Sequence, residues 1–235
     1  MTRLHILVEG DSEEAFVSDT LRPHLAMFGV FVGTPYMLWT KHLPQGGGYR
    51  GGVSKWEKIH KDLRNLLGDT NAMVSTMLDC YGLPADFPGK SGLTTADAKE
   101  GYSMVEKLQK RFAAEIGSRR FIPFLTLFEF ESLVFSSPKV TAAHFGLSEP
   151  KRTKLEHAIQ SIVDSAKSVE LINGGKNTYP KKRLVSLLEE QGILYGEVRH
   201  GSAILQKIGI PAIRAACPHF NAWLTRLESL GADPR

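Results

Sequence analysis

Three short apolar runs in the first 135 residues restrict what this chain can fold into, because each has the length of a strand and each runs into acids. Leu4 to Val8 meets Glu9, "AMVSTMLD" ends on Asp79, and "FIPFLTLFEFESLVF" carries Glu129 and Glu131. Runs this continuously apolar suit strands covered on both faces. The segments between them have helical spacing. Ser12 to Met27 places Ala15, Phe16, Leu21 and Leu25 on one side, with Ser12 as the expected N-cap; Trp56 to Leu67 does the same with Ile59, Leu63, Leu66 and Leu67, and Tyr102 to Ile116 is a third helix. A β-rich run, Val30 to Trp39, follows the first helix, and a glycine-rich loop, "LPQGGGYRGGVSKW", follows that. Parallel strands need crossovers of a dozen or more residues, which these helices supply. The expectation is an α/β fold, Rossmann-like, with a mainly parallel sheet flanked by helices.

Beyond Pro138 the pattern turns helical: Lys151 to Ala166, Lys181 to Gln191, Gly201 to Ile208 and Pro218 to Leu230. The expected division is an α/β domain over 1–137 and a helical extension packed on it over 138–235, or one domain. No apolar stretch approaches bilayer length, and the chain enters a strand at once, without the regions of a signal peptide, so the expected setting is cytoplasmic, with no membrane partner. Cys80 and Cys217 are too far apart in sequence to suggest a disulfide framework or a zinc site.

In open parallel sheets the ligand crevice lies beyond the carboxyl ends of the strands. The acids at these strand ends are therefore candidates to meet. Carboxylates brought together raise one another's pKa unless a cation intervenes. Magnesium or manganese meets that need, binding through one or two carboxylates plus waters and phosphate oxygens, and two such ions could activate water and stabilise the leaving oxygen of a phosphodiester. The candidate metal ligands are Glu9, Glu13, Asp79, Glu129 and Glu131. For Glu13, as for Asp11 and Glu14, complementing a helix dipole is the alternative.

The net charge is only +4, but its distribution is uneven. Arg50, Lys55, Lys58 and Lys61 lie in and after the glycine-rich loop, and Lys181, Lys182 and Arg183 follow "NGGKNTYP". Either group could hold a nucleic-acid backbone without sequence choice, with Tyr49 or Trp56 stacking on a base, or be a solvated helix face. Lys182 and Arg183 are the candidates for phosphate clamps or transition-state stabilisers. "GGGYRGG" lacks the Gly-Lys-Ser/Thr ending of a P-loop. Asp86 reads as a turn residue, and His200 as a surface or satisfied histidine.

The string "LVEGDSEEAFV" resembles the first motif of the Toprim domain, shared by topoisomerases, primases, small ribonucleases and overcoming-lysogenization-defect nucleases. The resemblance implies a Toprim fold in which Glu9, followed by Gly10, and Glu13 serve the metal. "LDCYG" supplies Asp79 of the second motif, Asp-x-Asp, with Tyr81 where the second aspartate belongs. "GGGYRGGVSKWEKI", "MLDCYGLPADFPG", "FEFESLVF" and "YPKKRL" together resemble small stand-alone Toprim-like proteins of unknown function, often encoded beside AAA-type ATPases in bacterial defence loci. The Toprim resemblance together with the acids leads to the expectation of a magnesium-dependent nuclease acting on a nucleic acid, with Glu9, Glu13, Asp79 and, from the residues themselves, Lys182 in its catalytic centre. The likeness to the stand-alone proteins implies an ATPase partner in anti-phage defence. A non-catalytic binding or regulatory subunit with a degenerate metal site is the alternative.

Overall fold

The computed structural model describes the backbone of residues 1–42, 48–50, 55–94, 100–173 and 178–232, and the side chains of all of these except 39–42 and 48–50. By contacts it divides into two units, Met1–Leu127 with Trp223–Arg235, and Phe128–Ala222. The division thus falls ten residues before the expected boundary, and the last part of the chain returns to the first unit.

In chain order the first unit contains β1 (Thr2–Val8), α1 (Asp11–Phe16), a π turn (Val17–Leu21), α2 (Arg22–Ala26), β2 (Val30–Val32), β3 (Tyr36–Met37), β4 (Trp39–His42), β5 (Gly48–Arg50), α3 (Trp56–Leu67), β6 (Ala72–Asp79), α4 (Gly101–Ile116), β7 (Phe121–Ile122) and β8 (Leu125–Thr126). β1 pairs in parallel with β2 and β3 on one side and with β6 on the other, and β6 pairs in parallel with β7 and β8. β2 and β3 are one ribbon interrupted at Pro35, as β7 and β8 are at Pro123. Proline has no N–H for a ladder and is tolerated at such outer positions. Four parallel ribbons result, with β1 and β6 in the middle, and a separate antiparallel hairpin joins β4 to β5 where the sequence suggested only loop.

The run after β1 begins one residue earlier than expected, at Asp11 with Gly10 as N-cap, so Ser12 lies inside the first turn. Its π turn precedes Pro23, whose ring would clash with the carbonyl four residues back in a regular helix. Trp56, Phe87 and Phe112 meet edge to face at 4.9–5.6 Å and join α3 to α4. Trp56 is therefore a packing residue rather than a free stacking platform. Asp86 accepts the Trp56 backbone N–H at 3.1 Å, so its carboxylate also serves the start of α3.

The second unit contains 3-10 turns at Phe130–Ser136, α5 (Pro138–His144), α6 (Glu149–Asp164), a 3-10 turn at Val169–Leu171, α7 (Pro180–Glu189), a π turn (Glu197–Gly201), α8 (Ser202–Ile208), α9 (Ile210–Ala216) and the start of α10 (Pro218–Ser229). Glu170, 3% exposed, is satisfied there by the backbone N–H groups of His219 and Phe220 at 2.9 and 2.8 Å, at the first turn of α10. From Trp223 onward the chain belongs to the first unit. The Trp223 indole stacks on Phe124 at 4.2 Å and donates to Ser75 Oγ at 2.9 Å, while Glu228 meets His24 at 2.7 Å. Among the described residues no helix is long and apolar enough to cross a membrane.

Candidate metal centre

The chain leaves β1 for β2 on one side and crosses back to β6 on the other, so the carboxyl ends of β1 and β6 flank the point where strand order reverses. The register pairs Val8 with Met77, so Glu9 and Asp79 emerge at neighbouring strand ends. They meet: the Asp79 backbone N–H donates to Glu9 Oε2 at 3.1 Å. The Asp79 carboxylate in turn accepts Thr126 Oγ1–H at 2.6 Å from its register partner on β8. Two carboxyl groups 70 residues apart are thereby held at one corner of the sheet.

The turn after β6 closes tightly on the Glu9 carboxylate, so that any side chain at Gly82 would displace it. A Cβ at Gly82 would lie 2.5 Å from Glu9 Oε1 and 2.9 Å from Oε2. The loop beyond is fastened by the Lys90 ammonium on the Leu83 carbonyl. Burial raises the pKa of Glu9, and the hydrogen bond from the Asp79 amide pulls the other way. A cation arriving at Glu9 would reverse the shift, because it favours the charged carboxylate. Glu13 is buried and turns back on its own helix start, accepting the Gly10 N–H at Oε2 from 3.0 Å. That is half of a capping box, a local role at the helix start, where complementing the helix dipole was the alternative to metal binding.

The remaining acids belong to the second unit. Glu129 and Glu131 share a direction only if their segment stays extended, and the backbone turns into a 3-10 turn from Phe130. Glu129 is the extended residue before that turn and accepts the Lys181 backbone N–H at 3.1 Å. Burial raises its pKa, opposed by that bond and by the Lys181 charge. Glu131 is 7% exposed, and burial pushes its pKa up to about 7. Lys181 Nζ pairs with Glu197 at 2.6 Å. Lys182 is exposed at the start of α7, while Arg183 Nε donates to the Thr178 carbonyl at 2.6 Å and so ties down its own segment. In the first unit Lys55 and Lys61 are exposed and Lys58 is half-buried, and the side chain of Arg50 lies outside the described residues, as do Tyr49's side chain and all of Lys176.

Residues 8–228 match the family described as "Domain of unknown function (DUF4276)". The chain belongs to this family. Its structure is similar to the C-terminal region of the Burkholderia pseudomallei OLD protein, at 17% identity over 98% of this chain and 99% of that one, with a TM-score of 0.44. No curated protein matches it.

Among the described residues of this DUF4276 chain, no three histidine, cysteine or acidic side chains gather closely enough to hold a metal ion by themselves. The pair at the sheet corner is nevertheless a suitable donor set for magnesium, which takes one or two carboxylates and fills its octahedron with water and phosphate oxygens. The thiol between them and Tyr81 is not a nucleophile: Cys80 is buried, and burial together with Asp79 pushes its pKa far up. Gly82 and Thr126 were not singled out from the sequence. The glycine's signal was its place three residues after the strand-end acid, whereas Thr126 shows its role only through the register of β8 against β6.

Proposed function

We propose that this chain is a Toprim-like, metal-dependent nuclease that hydrolyses phosphodiester bonds. What carries the reading is the corner at the switch point, where Glu9 and Asp79 are gathered from adjacent parallel strands and Glu9, half-buried, lies against Gly82. Glu9 and Asp79 would hold magnesium or manganese, with Glu13 as the further candidate ligand of the same unit. A divalent ion bound there supplies charge for the phosphate and the leaving oxygen. The chain's own part is to fix the carboxylates. The Asp79 amide and Gly82 set the position of Glu9, and Thr126 sets that of Asp79. Lys55, Lys58, Lys61 and Arg50 would meet the nucleic-acid backbone as solvated charges, giving affinity without sequence choice. Lys181, Lys182 and Arg183 would add phosphate contacts, with Lys182 the one nearest to a catalytic role. An AAA-type ATPase partner and a setting in antiviral defence complete the proposal and rest on the family resemblance of the sequence.

The test is a cleavage assay on DNA and RNA with magnesium or manganese, with and without a candidate ATPase, beside titration of manganese into the wild type, Glu9→Gln and Asp79→Asn. Saturable ion binding that either substitution weakens at least tenfold, with cleavage lost in parallel, is the expected result. If the folded wild-type chain binds neither ion, the nuclease reading fails. The exposed Tyr81, standing where a second acid would complete the motif, favours one rival, a regulatory subunit. That rival predicts nucleic-acid binding without cleavage.

A further inference from the structure

Beside β1, β3 and α3 the first unit holds a cavity of about 680 Å³ whose lining differs from that of a phosphate site and does not include Glu9 or Asp79. Its apolar wall is Leu7, Met37 and Leu66, each at most 7% exposed. Tyr36, 45% exposed, presents an aromatic ring at the opening. Three carboxylates from different elements line the same space: Glu14 of α1, Asp62 of α3 and Asp69 of the turn before β6. No lysine or arginine is among its described lining residues, in a chain that is basic overall. A cleft lined by one sign of charge over low-dielectric walls concentrates the opposite charge and repels phosphate.

The position of the aromatic ring is built in. His5 Nε2 meets Asp69 Oδ2 at 3.1 Å, and the His5 ring stands edge-on to Tyr36 at 5.3 Å and 88°. Asp69 also takes Arg3 at 2.7 Å and the Asn71 amide at 3.1 Å, and the His5 bond leads the causes that lower its pKa. Among the described residues the other nitrogen of His5 is buried without a hydrogen-bond partner. The His5–Asp69 pair thus orients Tyr36, which lines the cavity beside it.

We infer that the cavity binds a small organic cation, an amine or guanidine with an aliphatic body. The volume lies within the range of small-molecule sites. The aliphatic part would cover Leu7, Met37 and Leu66, and the charged end would sit over Tyr36 and among the carboxylates, where a cation over an aromatic face is favoured. This site is independent of the proposed metal centre.

The experiment titrates the full chain by calorimetry with 1,6-diaminohexane and agmatine, and with 1,6-hexanediol as the uncharged analogue. Binding of at least one amine, weakened tenfold or more by Asp62→Asn and by Tyr36→Ala, is expected. Tyr36→Phe should keep it, and Glu9→Gln should leave it unchanged, which separates this site from the metal centre. Thermal melts of the variants matching wild type establish that each is folded. The inference is overturned if neither amine binds, if hexanediol binds as well as the diamine, or if folded Asp62→Asn and Tyr36→Ala retain full affinity.

Discussion

Gly82→Ala tests whether the position of Glu9 matters, without touching the carboxylate itself. Gly82 is not among the positive-φ glycines, so alanine can adopt its backbone, and the conflict is confined to one new methyl group. That methyl would lie 2.5 Å from Glu9 Oε1 and 3.0 Å from Cδ, against an ordinary contact of about 3.5 Å. Glu9 Oε1 has to retreat by about 1 Å, and Oε2 loses its alignment with the Asp79 N–H. Because the atoms displaced are the end of a flexible side chain, the cost in stability is under about 1 kcal/mol. For a chain of this size that corresponds to a fall in Tm of no more than about 4 °C. Ion binding has no such tolerance. A shift of about 1 Å in a metal ligand or positioning group is worth one to two powers of ten, or about 1.4–2.8 kcal/mol. Calorimetric titration with manganese, run beside a thermal melt, reads both quantities. A folded Gly82→Ala protein whose manganese affinity lies within twofold of wild type would refute the claim that Glu9 is positioned as an ion ligand.

Gly231→Ala is the contrasting case: the added Cβ would fall 1.6 Å from the Phe28 carbonyl oxygen, which is backbone and cannot swing aside. It should cost about 2 kcal/mol or more and lower Tm by about 4–8 °C, and an unchanged melt would show that the tail does not pack on Phe28 as described. Glu131, with a pKa raised to about 7 from an ordinary 4.5, binds its proton more tightly in the folded state. Metal-free protein should therefore lose about 3 kcal/mol as pH rises from about 4.5 to 7, with no further loss above; Glu131→Gln should flatten that slope in urea titrations, and an equal slope in both proteins would count against the buried acid. Arg120 donates to the carbonyls of Leu67, Asp69 and Ala72 at 2.7–2.9 Å, so Arg120→Ala should cost about 3 kcal/mol, read as a lower urea midpoint at unchanged m-value.

What was legible in the sequence was whatever local periodicity encodes. β6 announces itself because it is covered on both faces, β1 because it is so from Ile6 to Val8, and α3 and α4 because one stripe of each is apolar. The third run misled because its composition hides a change of period. Pro123 interrupts the pairing after two residues, and Phe130 to Ser136 close into 3-10 turns whose aromatic residues are as apolar as a strand's. Alternation cannot be read across such a change, and so the relation between Glu129 and Glu131 was not legible from spacing. The return of the C-terminal residues to the first unit was illegible for a different reason. Trp223 and Leu227 read as one helical stripe, and nothing in a stripe says which surface it will cover.

The corner at Glu9 and Asp79 illustrates how a site inherits its geometry from the core. In β1, Leu4, Ile6 and Val8 are wholly buried, as are Val74, Met77 and Leu78 in β6. A slip of one residue would turn the side chains of the strand that moved to the opposite face, and a slip of two would move Glu9 about 7 Å along Asp79's strand. The apolar residues therefore fix the register, and the register alone brings the two acids level. Gly82 and Thr126 only refine a meeting that the core has already arranged. It follows that the acids could be read as a pair from sequence only by someone who had first read the strands as parallel neighbours. The chemistry of the corner is in this sense a consequence of the order in which the ribbons are laid down.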